Sequence, residues 1–238
     1  MEGMDAIDRR HALRLLAAGG VAAGTPALAQ SLVDLGLPGG VGERAMTGAF
    51  PEKGQMILQR TRAPLLETPM AVFDDGVFTP NDRFFVRWHY ADIPTLVDPA
   101  RHRLRVSGAV GRLLSLSMAD LMAMPRFEIA AVNQCSGNSR GHFAPRVPGA
   151  QWGHGAMGTA LWGGVRLRDV LDRAGVAPGA VAVRVGGLDR PPPGAPAFEK
   201  SLAIDHARDG EVMIAFLMNG ARLPMLNGYP LRLVVPGW

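Results

Sequence analysis

Cysteine is nearly absent: the 238 residues contain one, Cys135. A single thiol cannot close an intramolecular disulfide, so no covalent staple holds this fold. No C-x-x-C, C-x-x-C-H or H-x-x-x-H occurs, which leaves no zinc-finger framework and no covalent haem attachment in the chain. Lysine is nearly absent too. Only Lys53 and Lys200 are present, so 23 of the 25 basic residues are arginine. Arginine suits planar oxyanions through its fork of donors, although abundant alanine and glycine point to a GC-rich coding bias behind most of the excess. The arginines form no basic runs and have no interleaved aromatics, which argues against a nucleic-acid partner despite a pI near 10. There is no internal repeat, and after residue 29 no apolar run reaches the length of a membrane span.

The apolar run that does occur lies at the start. Arg9-Arg10 precede a stretch from Ala12 to Ala23, and Ala27-Leu28-Ala29 is a small-x-small cleavage site. The stretch is too short to anchor stably in a bilayer. The paired arginines are similar to a twin-arginine export signal, with Ala12 at its usual aromatic position; an ordinary secretory signal is the alternative. Residues 1–29 are therefore expected to be an export signal to the periplasm, and cleavage leaves 209 residues. That length suffices for a self-standing core.

Residues 30–80 are rich in glycine and proline and are expected as an extended N-terminal arm, with coil at 37–40 and 51–54. Arg83–Tyr90, Arg103–Gly108, Val181–Val185, Glu211–Met218 and Leu231–Val235 have the β-branched, aromatic or alternating character of strands. Ser117–Met124 is expected as a short helix capped by Ser117, with Asp120 three on and Pro125 as its stop. Arg166–Ala174 predicts an amphipathic helix ended by Gly175. Asn219-Gly220 and Asn227-Gly228 mark turns. Strands outnumber helices without regular alternation, so the fold class is α+β with mixed sheets, and residues 81–238 form the functional domain.

The lone cysteine sits in an unusual segment, Asn133-Gln134-Cys135-Ser136-Gly137-Asn138-Ser139-Arg140. The apolar run Ile129–Val132 reads as a short buried strand that delivers the thiol to a polar, glycine-bearing loop. A packed thiol, a nucleophile and a metal ligand all remain open at this point. A nucleophilic cysteine usually opens a helix, which Gly137 and Gly141 disfavour. Gly153-His154-Gly155-Ala156-Met157-Gly158 matches the dinucleotide pattern G-x-G-x-x-G, but polar coil precedes it and no helix is expected to open from it.

Taken together, AVNQCSGNSR around Cys135, GAMGTALWGGV at 155–165, Gly187-Leu188-Asp189, Met218-Asn219-Gly220, NGYPLRLVVPG at 227–237 and NDRFFVRWH at 81–89 resemble the sulfite oxidase family. The likeness covers most of 70–238 and is greatest to the catalytic subunit of exported bacterial sulfite:cytochrome c oxidoreductases. It implies the mixed-sheet molybdopterin-binding fold of that family and a molybdenum–molybdopterin cofactor. It implies Cys135 as the thiolate on the metal, Arg87 and Arg140 in the oxyanion pocket with His89 beside them, and Phe85, Arg87, His89, Asp189, Asn227 and Arg232 along the molybdopterin. Molybdenum favours soft sulfur donors, and two arginines suit a small sulfur oxyanion. The activity implied is oxidation of sulfite to sulfate, with electrons passed to a c-type cytochrome whose haem lies on a partner. Another oxidoreductase on the same scaffold, such as a methionine sulfoxide reductase, and an inactive remnant are the alternatives. Family members continue beyond the Pro-Gly position into further pterin contacts, a pocket tyrosine and an immunoglobulin-like dimerisation domain. The resemblance therefore implies a chain incomplete at its C-terminus and a dimer contact lying outside it.

Overall fold

The computed structural model describes residues 31–237, so the export signal read at 1–29 lies outside the described residues. Four short strands open the described chain: β1 (Leu32–Asp34), β2 (Glu43–Thr47), β3 (Met56–Arg60) and β4 (Leu65–Glu67). With β5 (Val86–Arg87) they form an antiparallel sheet in sequence order. The stretch expected as extended coil thus holds four strands. Its turns at 38–40 and 51–54 do stay irregular, but the strands between them are three to five residues long, too short for alternation to show. The segment 83–90 is shortened the other way. Only Val86–Arg87 pairs, because Phe84 and Phe85 are buried as core rather than alternating across a sheet face.

A hairpin of β6 (Leu104–Val106) and β7 (Leu114–Leu116) leads into helix α1 (Met118–Met122). Ser117 caps α1 in a full capping box: its Oγ accepts from Asp120 N, and the Asp120 carboxylate accepts from Ser117 N. Next come β8 (Phe127–Gln134), β9 (Met157–Arg166), α2 (Leu167–Ala174), β10 (Ala182–Gly186), β11 (Glu199–Ala203), α3 (Ile204–Ala207), β12 (Met213–Met218), β13 (Ala221–Arg222) and β14 (Arg232–Val234). In α2, Leu167, Val170, Leu171 and Ala174 are buried at the spacing of one helix face, and Gly175 closes it at φ 69°.

The principal sheet runs β13-β12-β9-β8, and β14 takes the rest of the β12 edge that β13 uses. β12 separates two cores. Ile214 and Phe216 face a cluster with α2, Leu114, Leu116 and Leu121, whereas Met213 and Ala215 face Phe84, Phe85, Trp152 and Trp162. Burial on both faces explains its unbroken apolar run. Fully burying a side chain such as Trp162 or Phe84 contributes roughly 1.5–3 kcal/mol or more. β8 differs from its expectation as a buried strand. It lies at the sheet edge and alternates half-buried with exposed residues along its whole length. β14 is likewise only half-buried except at Val234.

β9 runs through the glycine-rich stretch because its glycines meet neighbouring backbone and rings. A Cβ on Gly164 would lie 2.1 Å from Ile214 O, and one on Gly158 would lie 2.6 Å from the Phe84 ring. The G-x-G-x-x-G segment therefore enters a strand, not a helix, and the dinucleotide pattern has no structural counterpart here.

Candidate functional site

β8 ends at Gln134 and places Cys135 at the head of a tight loop. Cys135 N donates to Ala156 O at 2.9 Å, Asn138 N returns to Cys135 O at 2.9 Å, and Ser139 takes the left-handed conformation at φ 67°. Ser139 N and Gly141 N then bond to Gly153 O and Trp152 O, and Asn138 Oδ1 accepts from Ala156 N. The loop is thus fastened along its length to the segment 152–156. The thiol is half-buried: it packs against the Trp162 core while Gly137 N lies 3.4 Å from its Sγ. It is neither a deeply packed core thiol nor a fully exposed one.

The segment 152–156 is held in turn by Glu67, a carboxylate only 1% exposed. Glu67 Oε2 accepts from Gly153 N at 3.1 Å and Gln59 Nε2 at 2.7 Å, and Oε1 accepts from Gly155 N at 2.9 Å. Three donors compensate the burial of a charge that water would otherwise solvate. Gly155 must be glycine here, since a Cβ would sit 1.9 Å from Thr68 O.

Arg140 follows the loop, and its guanidinium passes over two glycines. A Cβ on Gly137 would lie 3.1 Å from Nη2, and one on Gly149 would lie 2.1 Å from Nη1. Arg87 is exposed at the end of β5 and its Nη1 lies 3.1 Å from His89 Nδ1. Arginine can only donate, so that geometry requires the His89 Nδ1 lone pair as acceptor. The His89 ring stacks on Phe198 at 4.8 Å. Among the described residues no carboxylate pairs with Arg87, Arg140 or Arg232.

The remaining candidates form a connected set. Asn227 is buried, 3% exposed, and its Nδ2 donates to Phe85 O at 3.0 Å. Its main-chain oxygen accepts from Arg232 Nη1 at 3.1 Å. Arg232 Nη2 donates to Asn133 Oδ1 at 2.7 Å, two residues before the cysteine, and the guanidinium lies over the Trp162 ring. Every polar partner is neutral, and burial pushes the guanidinium down to about 10. Asp189 stands apart from that set. It is half-buried on the wall of an open cleft of about 1060 Å³, where Arg232 is also found. Cys135, Arg87 and Arg140 do not line that cleft, so Arg232 is the residue that reaches both it and the cysteine strand.

Two residues of this constellation escape a reading of sequence. Glu67 lies 86 positions from Gly153, and Lys53 lies 174 positions from Asn227, whose Oδ1 its Nζ meets at 2.6 Å. Neither belongs to a motif. The only signal for Lys53 is its rarity as one of two lysines, and Glu67 offers none.

A half-exposed thiol on a backbone-bonded loop, with arginines that no carboxylate neutralises among the described residues, has the chemistry to suit a metal-bearing anionic cofactor. A soft sulfur ligand suits molybdenum, and a half-buried arginine with only neutral partners suits a phosphate. Residues 90–238 match the oxidoreductase molybdopterin binding domain family, and the chain belongs to that family. It is 42% identical over 179 residues to sulfite oxidase of Gallus gallus, covering 72% of this chain and 38% of that protein. It is 42% identical over 178 residues to the mitochondrial sulfite oxidase of Homo sapiens, covering 72% of this chain and 32% of the human one. The fold is similar to the crystal structure of the sulfane dehydrogenase SoxCD from Paracoccus pantotrophus, with a TM-score of 0.64 and 30% identity over 75% of this chain and 44% of that one. The chain thus spans less than half the length of each of these relatives.

Proposed function

We propose that this protein oxidises sulfite to sulfate at a molybdopterin-bound molybdenum held by Cys135, and passes the electrons to a c-type cytochrome. The observation that carries the reading is the Cys135 loop itself, with its half-exposed sulfur and the carboxylate-free Arg140 five residues on. The overall reaction converts sulfite and water to sulfate, two protons and two electrons. When bound, the cofactor supplies the two-electron redox chemistry and the oxygen transfer. The chain's own residues do the rest. Cys135 supplies the soft ligand, and the loop bonds to 152–156 keep its sulfur in one place. Arg140 and Arg87 attract and orient the oxyanion through charge-assisted bonds, and His89 accepts an N–H of Arg87 and so orients that guanidinium. Arg232 and Asn227 hold the cofactor's anionic end, with Phe85 anchoring Asn227. Asp189 contributes a contact from the cleft wall.

Export to the periplasm by the twin-arginine route is part of the same proposal, since that route carries folded proteins with cofactor inserted. Replacing Arg9-Arg10 by Lys-Lys should leave the precursor in the cytoplasm, and an unchanged periplasmic yield would favour the ordinary secretory route. No helix among the described residues is long and apolar enough to cross a membrane.

The deciding experiment is expression in a host that makes molybdopterin, followed by metal analysis and turnover of sulfite with cytochrome c as acceptor. About one molybdenum per chain and sulfite-dependent cytochrome reduction are expected. A second reading, oxidation of a sulfane sulfur, is supported by the structural likeness to a sulfane dehydrogenase. Turnover of a sulfane substrate without turnover of sulfite would select it, and reduction of a sulfoxide instead of either would select a reductase on the same scaffold.

A further inference from the structure

Lys53 lies in the turn between β2 and β3, far in sequence from every residue assigned above. Lys53 is buried, 8% exposed, and its ammonium uses all three protons: to Asn81 O at 2.7 Å, Phe84 O at 3.0 Å and Asn227 Oδ1 at 2.6 Å. The third bond fixes Asn227 in one orientation. With Oδ1 on the ammonium, Nδ2 must face Phe85 O, which it does. A flipped amide would set an NH2 group against a cation and a carbonyl against a carbonyl. Asn227 in turn offers its main-chain oxygen to Arg232. An ammonium, an amide and a guanidinium are thereby linked in series.

The preceding residue reinforces this contact. Glu52 takes φ 59°, and its carboxylate receives Arg222 and, at 2.7 Å, Met225 N at the start of the 225–227 turn. Glu52 is occupied by Arg222, and among the described residues the ammonium pairs with no carboxylate. Two cations, the buried Lys53 and the half-buried Arg232, therefore face the same asparagine without a direct counter-charge among the described residues.

We infer that Lys53 is a positioning residue of the cofactor cradle, fixing Asn227 and through it Arg232, and that its charge strengthens the hold on the cofactor's anionic group. The inference rests on the molybdopterin reading above. Burial lowers the Lys53 pKa to about 7, with Arg232 adding to the lowering and Asp82 and Glu52 opposing it; Arg83 also lies in this corner, beside Asp82. A bound anion favours the protonated ammonium. The hold is therefore full below about pH 7 and weakens as the pH rises above it, until the ammonium of the loaded protein also loses its proton.

The test uses the loaded protein and reads molybdenum retained per chain after gel filtration at pH 6 to 9. The wild type should lose the metal faster at each step above pH 7. Lys53→Met should lose it about tenfold faster at pH 6.5, the scale of one charge-assisted bond, and at a rate independent of pH. Lys53→Arg, charged throughout this range, should restore some retention and remove the pH dependence. Asp82→Asn, at an exposed side chain that does not touch the cradle, should keep the fold and shift the onset of metal loss to lower pH. Lys53→Met with the wild-type pH profile, or Asp82→Asn with an unmoved onset, would overturn the inference. A wild type without molybdenum would instead overturn the reading on which it rests.

Discussion

The two sides of the site are built differently. On the sulfur side, the Cys135 loop is bonded through its backbone to 152–156, and that segment is bonded to a buried carboxylate, Glu67. On the side proposed for the oxyanion, Arg87 and His89 leave a two-residue strand, stand exposed, and are steadied by one mutual contact and the Phe198 ring. The difference fits the tasks proposed for the two sides. A metal ligand must be placed to within a few tenths of an ångström, which demands a satisfied, water-free support. An anion is recognised by charge and can be followed by a mobile guanidinium, so exposure costs little. Substitutions on the sulfur side should therefore act on metal loading and stability, and those on the oxyanion side on substrate binding.

The largest effect is expected at Cys135 itself. Cys135→Ser replaces a soft donor by a hard one and should abolish sulfite turnover. The half-buried side chain changes little in size, so the thermal midpoint of the metal-free protein should stay near that of the wild type. Sulfite turnover equal to the wild type's would remove Cys135 from the mechanism.

Glu67→Leu tests the support behind the sulfur. It leaves Gly153 N, Gly155 N and Gln59 Nε2 without an acceptor in a water-free place. Each orphaned donor costs about 1–3 kcal/mol, so a loss of at least about 3 kcal/mol is expected. For a domain of this size that is a fall of roughly 6–12 °C in thermal midpoint. Metal retention should fall as well, while the Arg87–His89 contact, which shares no partner with Glu67, should be untouched. A stable variant with full molybdenum would show that the loop stands without its carboxylate.

Arg87→Gln comes next, on the other side of the comparison. Arg140→Gln goes with it, since its guanidinium is proposed for the same oxyanion although it stands at the end of the cysteine loop. Losing one charge-assisted bond costs roughly 1.5–3 kcal/mol, or about 10- to 150-fold in the Michaelis constant for sulfite. The constant for the cytochrome and the molybdenum content should change far less. If both variants bind sulfite as the wild type does, the oxyanion is held elsewhere.

The two sides also differed in how far they could be read from sequence. The Cys135 loop was legible because a lone thiol in a polar, glycine-bearing segment is a local feature, and so were α2, the Ser117 cap and the Asn219-Gly220 turn, where both residues take positive φ. Its supports were not. Glu67 and Lys53 act through partners 86 and 174 positions away, and no local pattern encodes such a distance. β1–β4 escaped because strands of three to five residues scarcely show a period of two. β9 was obscured for a different reason: Gly158 and Gly164 weaken its strand pattern in sequence, yet close approach to Phe84 and Ile214 requires them. The apolar run of β8 reads as buried, since an apolar composition alone does not tell a sheet edge from its centre.

The smallest effect expected lies on the approach to the rigid side, at the cap of α1, which precedes the cysteine strand. Ser117→Ala removes the acceptor for Asp120 N and should cost about 1 kcal/mol, near 2–4 °C in thermal midpoint at neutral pH. The Asp120 carboxyl is held below its usual 3.8 by the Ser117 hydroxyl first and the Ser117 backbone N–H second. A depressed carboxyl contributes stability that is present above pH 3.8 and lost as the pH falls through the lower, folded value. Ser117→Ala removes the larger of those two causes, so the gap between variant and wild type should be widest at pH 7 and should narrow on acidification to pH 3. Thermal melts at the two pH values measure this directly. Metal content should not change, because no bond of the capping box reaches the cysteine loop. A gap that stays constant with pH would mean that the Ser117 hydroxyl does not set the Asp120 carboxyl, and a fall in metal content would mean that the rigid side extends back through β8 to the helix before it.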